Sequence, residues 1–165
     1  MRPAILFLDT NILLDCPRTE DYRLPGRQVT IVVIPEVMRE LRGLSRARDR
    51  GQTGPALQAL TTLEPLSRRP GSAVGVPLGR SGTAIRLLPG TPVDTISTDR
   101  QLVLRAKVEQ NRNPGAMVAV VTKDWGVVEL ARGERVKSIL IRGSASPAGL
   151  ERGMAEHDTT LDIDL

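Results

Sequence analysis

Ile5-Leu6-Phe7-Leu8-Asp9-Thr10-Asn11-Ile12-Leu13-Leu14-Asp15 is the stretch on which the fold turns. The apolar run Ile5 to Leu8 ends abruptly in Asp9-Thr10-Asn11 and resumes at Ile12-Leu13-Leu14. A short continuous apolar run predicts a strand buried on both faces, as in a parallel sheet. Asp9 then stands at the carboxyl end of that strand, where open α/β sheets bind ligands. Taken alone, Asp9 is better read as a helix cap. Repetition of the arrangement along the chain changes that balance.

Outward from this stretch, Val29 to Ile34 is rich in β-branched residues and predicts a second buried strand. Pro35 and Glu36 follow at once, and Val37, Met38, Leu41 and Leu44 have helical spacing, with proline and an acidic residue suited to a helix start. The polar segment 17–28 carries a turn signal at Pro25-Gly26. Leu57, Leu60, Leu63 and Leu66 predict a helix over 56–66. Residues 67–83, rich in Gly and Pro, predict a long loop or a β-excursion, and Ala84 to Leu88 a strand, read as an edge. A helix starting near Ser97 or Thr98 ends at Asn113-Pro114-Gly115. Met117 to Val121 predicts a third buried strand, Trp125 to Arg132 a short helix, and Ser138 to Ile141 a last strand. The reading divides the chain into one domain over 1–142 and a polar, acidic tail or linker over 143–165, mostly unordered. Alternating strands and helices imply an α/β fold with a mostly parallel sheet and helices on both faces.

A chain of 165 residues can bury one core. It has no apolar run of membrane-spanning length and no signal-peptide pattern at Met1-Arg2-Pro3-Ala4. With Cys16 the single cysteine, no internal disulfide can form, and the expected setting is cytoplasmic. Net charge is +4 with a sequence pI near 10.0, which favours polyanionic partners. Aromatic residues are only 2% of the chain (Phe7, Tyr22 and Trp125), too few for an extended base-stacking platform. Nucleic acid would therefore be held mainly through phosphate, and Trp125 reads as a core or domain-edge residue.

Two strands end in a carboxylate at the junction with a helix, Asp9 and Asp124. A third carboxylate, Asp99, opens the helix after Ser97-Thr98, with Asp94 as its rival. Glu40 lies one turn into the helix after the second strand, four residues from Glu36. In a parallel sheet these junctions share one edge, so the groups can converge. Converging carboxylates repel, and one would protonate unless a cation compensates. Magnesium or manganese suits an all-oxygen set, whereas Cys16 and the lone His157 cannot make a zinc site.

These residues resemble a known family. Leu8-Asp9-Thr10-Asn11-Ile12-Leu13, Val33-Ile34-Pro35-Glu36-Val37-Met38-Arg39-Glu40-Leu41, Thr98-Asp99-Arg100-Gln101-Leu102 and Val121-Thr122-Lys123-Asp124-Trp125 look like the ordered signature of PIN domains, nearest to those of PhoH-like and related bacterial PIN proteins. The resemblance implies a three-layer α/β/α sandwich and metal-dependent endonuclease chemistry on RNA. By position, Asp9, Glu40, Asp99 and Asp124 match the acidic quartet that holds Mg2+ or Mn2+, and Thr10, Asn11 and Thr122 match polar positions that orient ligands or water. Glu36 matches no quartet position. The expectation is a metal-dependent endoribonuclease on single-stranded RNA, with Arg100, Lys123, Arg46 and Arg48 touching phosphate and Arg50, Arg68-Arg69 and Arg80 lining the approach. A non-catalytic RNA- or protein-binding module on the same fold is the alternative. A phosphohydrolase starting from a strand-end Asp would want Asp-x-Asp, and Asn11 stands in the second place. A homodimer, and a longer parent chain with an ATPase or RNA-binding domain, are partners the resemblance admits.

Overall fold

The computed structural model describes residues 2–22, 26–48, 50–79 and 82–160. Pro25, Arg80 and the last five residues, on which parts of the sequence reading fell, lie outside them, as do the side chains of Arg50 and His157. Strands β1 (Ala4–Leu8), β2 (Val29–Val33), β3 (Val76–Pro77), β4 (Thr83–Leu87), β5 (Met117–Thr122) and β6 (Lys137–Leu140) form one sheet in the order β3-β4-β2-β1-β5-β6. All pairings are parallel except that of β3 with β4. The short β3 is the β-excursion of the Gly/Pro-rich segment. It lies outside β4, so β4 is not the sheet's edge.

Every residue of β1 and β5 is buried, as contiguous apolar runs covered on both faces require. The covering helices are α1 (Thr10–Asp15), α2 (Pro35–Arg46), α3 (Arg50–Ser67), α4 (Thr98–Arg112), α5 (Trp125–Gly133) and α6 (Pro147–Thr160). Helices α1, α2 and α3 pack on one another, α4 packs on α5, and α6 lies against β6. This is an α/β/α sandwich. No helix of the described residues is long and apolar enough to cross a membrane.

Three expectations need correction. Helix α3 starts at Arg50 rather than 56, so Pro55, which has no N–H to give to the turn before it, lies inside the helix, as does Pro65. Its buried face is Ala56, Ala59, Leu60 and Leu63, the i, i+3, i+4, i+7 set of an amphipathic helix, and Leu57 is exposed. The segment 17–28 is more than a polar loop: Tyr22 is buried and its hydroxyl donates to the Cys16 carbonyl at 2.6 Å. Burial pushes the Cys16 thiol above its ordinary range, as suits a core residue and not a nucleophile.

The largest correction concerns the presumed tail. Residues Pro147–Thr160 form α6, and Ala145, Leu150 and Met154 are buried against the sheet. A Cβ placed on Gly153 would lie 2.3 Å from Ile139 Cγ2, so only a glycine lets this helix approach β6 so closely.

Candidate active site

Following the chain, β1, β2 and β4 step outward on one side. The chain then crosses back to place β5 on the other side of β1 and β6 beyond it. The order therefore reverses between β1 and β5, and the crevice outside the carboxyl ends of those strands is where such sheets take ligands. Asp9 and Asp124 flank that crevice. In register, Leu8 faces Val121, and the Asp9 N–H donates to the Val121 carbonyl at 3.0 Å.

Each carboxylate is aimed by short local bonds. Asp9 is buried; its Oδ1 accepts from the Thr10 N–H at 2.7 Å and its Oδ2 from the Thr122 hydroxyl at 2.6 Å. Asp9 thus caps α1 while facing the crevice. Thr122 Oγ1 also accepts the Asp124 N–H at 3.0 Å, so one fully buried hydroxyl fixes the spacing of Asp9 and Asp124. Asp124 caps α5, with Oδ1 accepting from the Gly126 N–H at 2.7 Å. Glu40 reaches across from α2, its Oε2 accepting from the Thr10 hydroxyl at 2.6 Å. Asp99 sits in the first turn of α4, behind the cap that Ser97 provides to the Arg100 N–H.

The electrostatics tie these groups together. Burial pushes Asp9 above the usual carboxylate range; the bonds from Thr122 and Thr10 oppose it, and the charges of Glu40 and Asp124 add to it. Asp99 is also raised, by burial first and then by Asp9, Asp124 and Glu40. Acids drawn from four separate segments thus feel one another's charge at one edge. Asp94, the rival of Asp99, is an exposed partner of Arg39. Arg39 and Arg42 therefore do not occupy Glu40, since Arg42 pairs with Glu64 at 2.9 Å.

The donor set, all carboxylate and hydroxyl oxygen, fits a hard divalent ion. Among the described residues, however, no three His, Cys, Asp or Glu side chains close around one point as a ready-made cage. Magnesium does not demand one, since it keeps several waters and takes only one or two carboxylates.

The remaining candidates divide. Asn11 is exposed on α1 and lines a cleft of about 320 Å³ with Leu14, Gly51, Gln52 and Lys123. Arg46, Arg48 and Arg100 are exposed. Lys123 is not a free cation, because its ammonium lies 2.7 Å from Asp15 Oδ2, which also accepts the Ala145 N–H at 3.0 Å. Burial works against the Asp15 carboxylate, yet these bonds and the Lys123 charge hold it below its ordinary range. The pair braces the end of α1 against the strand-end loop and the approach to α6. Glu36 stands apart from the acidic edge. It is fully buried, and its Oε1 accepts from the Val93 N–H and the Arg105 guanidinium at 3.2 Å each, holding the chain before α4. Trp125, read as core or domain edge, is 54% exposed beside Asp124.

No family model matches the chain, and no curated protein matches it. Among solved structures, a domain of a functionally unknown protein from Methanocaldococcus jannaschii DSM 2661 superposes with a TM-score of 0.54 at 16% identity, covering 86% of this chain and 93% of that one. The likeness is one of fold. It supports the α/β/α architecture across most of the chain and says nothing of chemistry.

Proposed function

We propose that this chain is a PIN-like endoribonuclease that cleaves single-stranded RNA with the help of magnesium or manganese. One observation carries the reading: Asp9 and Asp124 stand at the crevice where the strand order reverses, Glu40 bonds to Thr10 beside Asp9, and the carboxyls of Asp9 and Asp99, raised first by burial, are raised further by the charges of the other acids. The resemblance of the four sequence blocks to PIN domains supports the same assignment. A hard divalent ion bound there would supply Lewis acidity and lower the pKa of water at neutral pH.

The chain's own residues do the rest. Asp9, Glu40, Asp99 and Asp124 would hold the ion. Thr122 and Thr10 keep the Asp9 and Glu40 carboxylates pointed at a common space, so little reorganisation is needed when it fills. Exposed Arg100, with Arg46 and Arg48 around the end of α2, would offer cations to the strand's phosphates, and exposed Asn11 would offer an amide.

The test is cleavage of an unstructured RNA in manganese by the wild type and by Asp9→Asn and Asp124→Asn. Both substitutions should reduce the rate by at least about a hundredfold, the scale on which an electrostatic stabiliser acts. Unchanged cleavage would remove the carboxylate mechanism. The alternative reading is an RNA- or protein-binding module on the same fold with a weak ion site. Binding without turnover throughout a manganese titration would select it.

A further inference from the structure

A cleft of about 580 Å³ opens beside Asp124, between the start of α5, the end of β6 and α6. Trp125 lines it, and the chain's other two aromatic residues, Phe7 and Tyr22, are fully buried. Among the described residues Trp125 is therefore the aromatic ring available for stacking, and it follows Asp124 of the acidic edge. The guanidinium of Arg132 lies over that ring at 5.7 Å from its centre, which orients it. Arg142 and Arg152 also line the cleft. Both are exposed, and neither has an ion-pair partner among the described residues. Gly149 and Gly153 present bare helix backbone to the same space.

A ring, two exposed guanidinium groups and a concave wall form the recognition set for one nucleotide of a single strand: stacking for the base and charge for the phosphate. The position narrows the reading further. Trp125, which lines the cleft, follows Asp124 directly in the chain, so the cleft adjoins the acidic edge and suits the nucleotide next to a phosphate held there. We propose that the cleft binds the nucleotide adjacent to the reacting phosphate of a single-stranded RNA, its base against Trp125 and its phosphate between Arg142 and Arg152. The word reacting rests on the nuclease reading; the binding does not.

The experiment measures affinity of the full chain for labelled, unstructured RNA oligonucleotides in EDTA at several salt concentrations, with cleavage in manganese assayed in parallel. Trp125→Ala should weaken binding about tenfold, within the range of base–aromatic stacking, and Trp125→Phe should recover most of it. Gly149→Leu should weaken it similarly by filling the cleft. Its first added carbon meets nothing nearer than Ser146 Oγ at 3.4 Å, and leucine favours a helix over glycine. Replacing Arg142 and Arg152 by Gln should flatten the dependence of log affinity on log salt by roughly 0.7 per arginine. Wild-type affinity and salt slope in all these variants would overturn the subsite even if the chain cleaves RNA. Loss of binding in the variants of a chain that never cleaves would keep the subsite and discard the nuclease. A wild type that binds no RNA would discard both.

Discussion

Thr122 carries no charge and no exposed surface, yet the two carboxylates that flank the crevice are spaced by it. Its hydroxyl donates to Asp9 Oδ2 and accepts the Asp124 N–H. Valine would keep the β-branched shape that a buried strand end prefers and remove both bonds. A buried acceptor left without a donor costs about 1–3 kcal/mol, so Thr122→Val should lower unfolding stability in urea by that amount. It should also depress cleavage on the proposed reading, because Asp9 loses its aim. Thr122→Ser, which restores the hydroxyl, should recover most of the stability. Equal stability of the valine and wild-type chains would mean that Asp9 does not depend on this bond. The same scale explains why residue identity alone could not rank Asp94 against Asp99. Asp94 stands shortly before α4 and Asp99 in its first turn, and only the turn of the chain decides that one meets Arg39 in solvent and the other feels three carboxylates.

Among the elements, α6 is the one whose packing depends most on a missing side chain. Gly153→Ala would put a carbon 2.3 Å from Ile139 Cγ2, and overpacking of this kind costs about 1–3 kcal/mol. The substitution should lower the melting temperature, and should cost less beside Ile139→Ala, which removes Cγ2, than in the wild type. A double-mutant cycle reads this as coupling. Additive losses would place the helix elsewhere than on Ile139. This contact also shows where sequence reading stops. Strands β1, β2 and β5 were legible because each is a contiguous apolar run followed at once by a cap or a proline, so local pattern and final burial agree. Helix α6 was not, because what it buries is Leu150 and Met154, with Gly153 against Ile139, amid charged residues, and a glycine that matters by absence has no apolar signal. Asp9 and Asp124 were legible as the acids that follow two adjacent strands and cap the helices after them. The brace of Lys123 with Asp15 was not, because it depends on how α1 ends relative to β5, which no spacing along the chain encodes.

At the scale of the whole molecule, a chain with net charge +4 concentrates negative charge at one sheet edge, and that arrangement ties stability to pH and to cations. The carboxyls of Asp9 and Asp99 titrate above their ordinary range in the fold, for burial first and repulsion after it. Between the ordinary carboxylate range and those raised values, the folded chain holds protons that the unfolded chain has released. The contribution of these two groups to stability therefore falls as pH rises through that window. In EDTA the melting temperature should drop between mildly acid and neutral pH, and the drop should be smaller in Asp99→Asn. An ion that binds only the folded chain adds stability by mass action, about 2.7 kcal/mol at a hundred times its dissociation constant. Manganese should thus raise the neutral melting temperature by several degrees, the raise should vanish in Asp9→Asn, and it should shrink as pH falls and the carboxyls protonate. Calorimetric melts in EDTA and in manganese at two pH values separate these effects. A melting temperature indifferent to manganese at neutral pH would leave the acidic edge without the cation that its repulsion calls for.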